Sequence, residues 1–177
     1  MYLISAYFDD SSNQKIQNLI EKVAKKSGNP FMIDNQVPPH MTISAIESRT
    51  VKELMPAFES LQGKVGSGEI QIVSLGALLP YVLYVTPVLN AYLFEMQKQV
   101  YDTFLPIKDT KISKYYQPGS WLPHITIGKT LTKEQLQAGF LCLQENFAPF
   151  TATITHLGLA KTNPHKDVSR MVLETGE

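Results

Sequence analysis

A short motif of proline, histidine, any residue and threonine occurs twice in this chain of 177 residues. It reads Pro39-His40-Met41-Thr42-Ile43 in the first half and Pro123-His124-Ile125-Thr126-Ile127 in the second. Polar and apolar residues alternate in both copies, which predicts two half-buried strands with histidine and threonine on one face. The chain has only four histidines, so a pattern that repeats around two of them indicates shared chemistry.

A pair of histidines on one cleft suits the cleavage of a phosphoester. Because histidine titrates near neutrality, a neutral imidazole can take a proton from an attacking water while an imidazolium protonates the leaving oxygen. Threonine hydroxyls can donate hydrogen bonds to the phosphate oxygens, where negative charge builds up. We therefore predict that the catalytic residues are His40, Thr42, His124 and Thr126, and the same alternation places Ser44 beside Thr42.

Two other uses of paired histidines fit the sequence less well. A zinc site needs three or four ligands, and no Cys, Asp or Glu lies on the predicted histidine face of either motif. A serine hydrolase with a nucleophile elbow needs Gly-x-Ser-x-Gly, which the sequence lacks. We therefore expect no metal and no other cofactor.

The segment from Pro106 to Leu122 is long for a connection in a compact domain, and such segments are often functional. It combines lysines, which can bind a phosphate, with aromatic rings, which can stack on a base. The candidate substrate-binding residues are Ser44, Lys114, Tyr116, Trp121 and Lys129. Lys129 follows the second motif and could add a positive charge, although strand alternation places it on the face opposite to His124 unless the strand has ended.

The balance of charge limits the partners. Sixteen basic and sixteen acidic residues cancel, so the chain lacks the global positive field that binds long duplex nucleic acid, whereas a nucleotide or an RNA end stays possible. No stretch approaches membrane-spanning length, and the N-terminal apolar run is too short for a signal sequence. We expect a cytoplasmic monomer that does not bind membranes.

Strand and helix signals follow the same order around both motifs. Each half of the chain reads strand-helix-strand-helix-strand, which predicts one domain, 1–177, made of two pseudo-symmetric lobes at about 1–79 and about 80–177. The two motif strands would then face each other across a cleft. A helix predicted from Thr50 contains Pro56, so it either starts later or is kinked. His165 follows Asn163-Pro164 in a predicted turn, where we expect its side chain to be solvated.

Taken together, these features resemble the two-histidine (2H) phosphoesterase superfamily, in particular its LigT-like branch of bacterial 2′-5′ RNA ligase-like proteins. The resemblance covers essentially the whole chain and rests on His40-Met41-Thr42-Ile43 and His124-Ile125-Thr126-Ile127. It implies an α+β fold in which two βαβαβ lobes line a central cleft with antiparallel sheets and carry their helices outside. It also implies metal-free hydrolysis of 2′,3′-cyclic phosphates of nucleotides or RNA ends, with histidines as base and acid.

The sequence leaves the substrate open, because Arg49 and Arg170 are its only arginines and members that act on RNA are expected to be more basic. The same residues would also serve the reverse reaction, ligation of RNA ends through a 2′-5′ bond. A non-catalytic protein that binds a nucleotide or a phosphorylated metabolite is a further alternative, although arginine or lysine would serve simple phosphate binding better than paired histidines and threonines. The near identity of the two motifs does not distinguish the base from the acid.

Overall fold

The computed structural model describes residues 1–162 and 165–175, and the turn predicted at Asn163-Pro164 lies outside them. The strands are β1 (Tyr2–Phe8), β2 (Met41–Glu47), β3 (Gly68–Leu78), β4 (Val82–Pro87), β5 (Lys111–Ile112), β6 (Ile125–Gly128), β7 (Phe150–Lys161) and β8 (Lys166–Val172). The helices are α1 (Asp10–Ser27), α2 (Phe31–Asp34), α3 (Met55–Glu59), α4 (Ala91–Phe104) and α5 (Lys133–Asn146), with 3₁₀ turns at Val51–Glu53 and Lys114–Tyr116. No helix in these ranges is long and apolar enough to cross a membrane.

The strands form one eight-stranded sheet in which every pair of neighbouring strands is antiparallel. The sheet has two parts, and strand β7 belongs to both of them and so links them. Residues 150–154 of β7 pair with β3, and residues 154–161 pair with β1. A second link is the single pair Met41–Ile125 between β2 and β6. The predicted α+β fold with antiparallel strands is confirmed.

Strand pairing crosses the predicted lobe boundary near residue 79. One part of the sheet contains β2, β1, β7 and β8, and the other contains β6, β4, β3 and the first residues of β7. Each part therefore mixes strands from both halves of the chain. Strands β3 and β4 lie on either side of the predicted boundary, but a tight turn joins them and they pair as a hairpin. The boundary therefore separates two strands that are neighbours in the sheet.

The longest helix, α1, has the apolar periodicity of a helix with one buried face. Ile16, Leu19, Ile20 and Val23 are buried, as the i, i+3, i+4, i+7 spacing requires. The helix ends at Gly28, whose φ of 70° is left-handed and whose N–H donates to the Ala24 carbonyl. Helices α1 and α5 pack on each other and on the strands, so both cover the apolar side of the sheet.

Two other helices begin later than local sequence signals indicate: a capping box predicts a helix from Thr50, and a proline suited to the first helical position predicts another from Thr86-Pro87. The helix expected from Thr50 is a 3₁₀ turn followed by the short α3, with Pro56 in its first turn, where a missing N–H costs nothing. Helix α4 begins after Asn90, whose side chain accepts the Leu93 N–H, whereas Pro87 ends β4. Neither change moves a motif residue.

Candidate active site

The two motifs lie side by side. His40 and His124 directly precede β2 and β6, whose paired residues are Met41 and Ile125. Both of these apolar residues are fully buried, so the residues before and after them point to the opposite face. In an antiparallel pair the residue before one partner faces the residue after the other, which sets His40 across from Thr126 and Thr42 across from His124.

All four of these side chains line one cleft with a volume of about 690 Å³. Thr42 is buried at its floor, whereas both histidines and Thr126 are half-buried. The structure therefore brings together the two histidines and two threonines that the motifs predicted. Their roles in catalysis stay a prediction that geometry alone does not test.

Both imidazoles are held by the same hydrogen bond. Nδ1 of His40 lies 2.8 Å from the Pro38 carbonyl oxygen, and Nδ1 of His124 lies 2.9 Å from the Leu122 carbonyl oxygen. Because a carbonyl only accepts, Nδ1 donates in each case and the neutral ring is unprotonated at Nε2. Nε2 is therefore the nitrogen that can gain or lose a proton during a reaction.

Burial makes both imidazoles hard to protonate in the free protein. The pKa of His40 is lowered to about 4, mainly by burial and also by the neighbouring His165 and His124, against the opposing effects of the Pro38 hydrogen bond and Asp167. Burial also lowers the pKa of His124, against the opposing effect of the Leu122 carbonyl. Since desolvation disfavours the charged form, an anionic ligand that brings negative charge into the cleft would favour protonation again.

Three side chains position the second motif. Thr86 donates through its hydroxyl to the Pro123 carbonyl at 2.7 Å, and the Tyr84 ring packs edge-on against His124 with ring centres 5.4 Å apart. Trp121 is buried and donates through Nε1 to the Thr42 carbonyl at 3.0 Å. Trp121, predicted as a substrate-binding residue, does not line the cleft and instead ties the second motif to the strand of the first.

Ser44 is not on the cleft, and a bulge in β2 is the reason. Thr42 pairs with Ser5 and Ser44 pairs with Ile4, so Ile43 is an extra residue between them. The extra residue breaks the alternation and turns Ser44 to the helix-covered side, where it is fully buried. The placement of Ser44 beside Thr42 by simple alternation is therefore wrong.

The remaining candidates divide between the cleft and the outer surface. Tyr116 lines the cleft, and its carbonyl accepts a hydrogen bond from buried Gln97 at 2.7 Å. Lys129 also lines the cleft, with Nζ 6.0 Å from the centre of the Phe31 ring. Strand alternation does not apply to Lys129, because β6 ends at Gly128; this is the exception under which Lys129 is expected to reach the histidine face. Lys114 is exposed outside the cleft, with Nζ 5.2 Å from the centre of the Tyr115 ring.

The cleft contains a third histidine that the sequence did not predict there. His165 lines it, and its ring centre lies 5.4 Å from that of His40. The expectation of a solvated side chain is wrong, since the His165 side chain is only 11% exposed. The only sequence signal was a histidine beside a predicted hairpin turn, and nothing in the sequence showed that this hairpin ends next to the first motif.

Residues 8–166 match the family model of the 2′-5′ RNA ligase superfamily. The chain belongs to this superfamily. The resemblance inferred from the paired His-x-Thr motifs is thereby confirmed over most of the sequence. No curated protein matches the chain in sequence.

Several solved structures show the same fold. Escherichia coli LigT complexed with 3′-AMP matches with a TM-score of 0.64 and 13% identity over 97% of each chain. A structure described as a phosphoesterase matches with a TM-score of 0.64 and 13% identity over 98% of each chain. E. coli LigT complexed with ATP matches with a TM-score of 0.59 and 13% identity over 98% of this chain and 97% of that one. The fold is LigT-like, as the motifs implied.

Proposed function

We propose that the protein is a metal-independent phosphoesterase that hydrolyses 2′,3′-cyclic phosphodiesters of nucleotides or RNA ends. The observation that carries the proposal is the pairing of the two motif strands, which sets two imidazoles and two threonine hydroxyls on one cleft. Both imidazoles donate from Nδ1 to a carbonyl, so both offer Nε2 for proton transfer. This is the arrangement that general acid–base cleavage of a phosphoester requires.

The related structures support this choice of substrate. E. coli LigT was solved with 3′-AMP and with ATP, and a 3′-phosphate is one of the two products that opening of a 2′,3′-cyclic phosphate can leave. In the present protein, Lys129 and Tyr116 line the same cleft as the motifs. We propose that the Lys129 ammonium attracts the phosphate and that the Tyr116 ring contacts the nucleoside.

The two histidines would act on opposite sides of the phosphorus atom. His40, whose pKa burial lowers to about 4, is neutral near pH 7 and would take a proton from the attacking water. The water oxygen bonds to phosphorus as the bond to one ribose oxygen breaks, and His124 would donate its Nε2 proton to that oxygen. The negative phosphate favours the protonated form of His124 once substrate is bound. Thr42 and Thr126 would donate hydrogen bonds to the non-bridging oxygens.

The first test is turnover of the four nucleoside 2′,3′-cyclic monophosphates by EDTA-treated protein, with products followed by chromatography. The His40→Asn and His124→Asn variants keep a side-chain amide that can donate to the Pro38 and Leu122 carbonyls but cannot titrate. We expect wild-type turnover to survive chelation and each variant to lose about 10²–10⁴-fold. The position of the product phosphate, 2′ or 3′, identifies the ribose oxygen that leaves.

A matched pair of lysines controls for nonspecific effects of charge. Lys129→Ala removes a charge from the cleft and is expected to raise KM, whereas Lys114→Ala removes one from the exposed surface and is expected to leave kinetics unchanged. The proposal fails if wild-type protein opens neither the mononucleotides nor RNA ends that carry a 2′,3′-cyclic phosphate. Tight binding of nucleotides in calorimetry without turnover would then favour a binding protein.

Ligation of RNA ends is the second candidate, favoured by the superfamily to which the chain belongs. It would use the same histidines in the same roles: the 5′-hydroxyl of a second fragment replaces water as the attacking group, and its oxygen bonds to phosphorus as the bond to the 3′-oxygen breaks. Incubation with two RNA fragments, one ending in a 2′,3′-cyclic phosphate and the other beginning with a 5′-hydroxyl, separates the two reactions. A joined product with a 2′-5′ bond would show ligation, and opened phosphate alone would show hydrolysis.

A further inference from the structure

The cleft contains a histidine that the proposed reaction does not use. His165 precedes β8, and its side chain is only 11% exposed. Its ring lines the cleft and packs on the ring of His40, with ring centres 5.4 Å apart and planes inclined by 32°. A third imidazole therefore lies directly against the histidine of the first motif.

Asp167 lies close to the His165 ring. Its carboxylate is 3.4 Å from Nε2 of His165, and this nitrogen is buried without a hydrogen-bond partner among the described residues. The carboxylate also accepts a hydrogen bond from the Tyr7 hydroxyl at 2.9 Å and forms an ion pair with Arg170 at 2.7 Å. The Arg170 guanidinium in turn lies 3.8 Å from the centre of the Tyr7 ring. Asp167 is thus fixed by Tyr7 and Arg170, and its carboxylate is a close neighbour of the His165 ring without a hydrogen bond to it.

The same group of residues touches His40 from a second direction. The Tyr7 ring centre lies 6.3 Å from that of His40, so the His40 ring has two ring neighbours, His165 and Tyr7. In the described part of the chain, 1–162 and 165–175, the only aromatic ring found against His124 is that of Tyr84. The two motif histidines, nearly identical in sequence, therefore have different surroundings.

We propose that His165 is a positioning residue for His40, through the packing of its ring on the His40 ring. The hydrogen bond from Nδ1 to the Pro38 carbonyl fixes one edge of the His40 ring but leaves the ring free to tilt about that edge. Packing against the His165 ring removes this freedom and holds Nε2 in one place. The expected effect on catalysis rests on the proposed function, because a fixed Nε2 matters most if His40 is the base that receives a proton from water.

The kinetic test compares two substitutions at one site. His165→Ala removes the ring, and we expect kcat on a 2′,3′-cyclic nucleotide to fall about 10-fold with KM nearly unchanged, because misplacement of a catalytic group by about 1 Å can cost up to 100-fold. His165→Phe restores a flat ring without nitrogen atoms and should recover most of the lost kcat. His156→Ala is the matched control, since His156 lies on the same hairpin, contacts Thr155 at 2.8 Å and does not line the cleft.

A second readout does not depend on turnover. The pKa of His40 can be followed by NMR through its Cε1–Hε1 signal in the free protein. We expect the pKa of about 4 in the wild type to rise in His165→Ala, because the missing ring admits water, and to stay low in His165→Phe. If the wild type opens no cyclic phosphate, the proposed function fails while this titration still tests the positioning role.

Three results would overturn the inference. One is a His165→Ala variant with wild-type kcat and an unchanged titration of His40. Another is a His165→Phe variant as impaired as His165→Ala, since the ring would then not be the feature that matters. The third is a loss of kcat that only follows the fraction of unfolded protein, measured by urea denaturation of each variant.

Discussion

Loss of stability in acid is the most direct consequence of the way in which His40 is buried. Burial lowers the pKa of His40 from its ordinary value of 6.5 to about 4 in the folded protein. Between these values the unfolded chain binds a proton that the folded chain does not, so stability is complete above pH 6.5 and falls as the pH falls toward 4. At about 1.36 kcal/mol per pH unit, the full effect is about 3 kcal/mol.

The His40→Asn variant isolates this contribution. Its amide can still donate to the Pro38 carbonyl but has no proton to gain, so the part of the acid destabilisation that comes from His40 should disappear. Urea denaturation at about pH 7 and about pH 4.5 gives the free energy of unfolding of both proteins. We expect the wild type to lose about 2 to 3 kcal/mol more than the variant between these conditions.

The pH-dependent loss of unfolding free energy is compared between the wild type and the variant because other groups titrate in the same pH range. His124→Asn is the matched variant in the second motif, and an effect of the same sign is expected because burial also lowers the pKa of His124. Parallel curves for wild type and His40→Asn would refute the reasoning, since they would mean that His40 titrates alike in the folded and unfolded protein. A larger loss in the variant would also contradict it.

Three further predictions concern the cleft and its supports. In the pH profile, kcat/KM should rise through about pH 4 as His40 becomes neutral. It should decline again as His124 loses its proton, at a pH below the ordinary histidine pKa. A maximum of kcat/KM well above pH 7 would contradict both roles. Thr126→Val should lower kcat about 10²-fold, as the loss of one donor to a developing negative charge does, and steady-state kinetics beside an unchanged melting temperature would show it. Trp121→Phe removes the donor to the Thr42 carbonyl and should cost about 1–3 kcal/mol in urea denaturation; an unchanged free energy of unfolding would show that this bond does not stabilise the fold.

Local patterns in the sequence predicted the helices and strands that frame the cleft. Helix α1 could be predicted because its burial follows a period of 3.6 residues and ends at a glycine. Helix α5 could be predicted from its capping box of Thr132 and Gln135, which the structure contains. The start of α4 could not, because Pro87 suits both the end of a strand and the first turn of a helix.

The binding residues were harder to predict than the motif residues. Ser44 and Lys129 were assigned to faces by counting in steps of two, and a bulge at Ile43 and the end of β6 at Gly128 each interrupt that count. Trp121 has the flat ring expected of a base-stacking residue, yet its Nε1 donates to a buried carbonyl instead. Residue type alone does not separate these uses.

By itself, the sequence identified the side chains that we propose carry the chemistry, and it showed that the histidine and threonine of each motif share a strand face. The Pro-His-x-Thr pattern does this within five residues, because alternation along a strand is a local property of the backbone. Tertiary structure decided what surrounds those side chains: the order of strands that brings His165 and Asp167 to His40, and the burial that lowers its pKa. Such contacts join residues far apart in the chain, and they depend on which strands pair. The two nearly identical motifs do not specify that pairing.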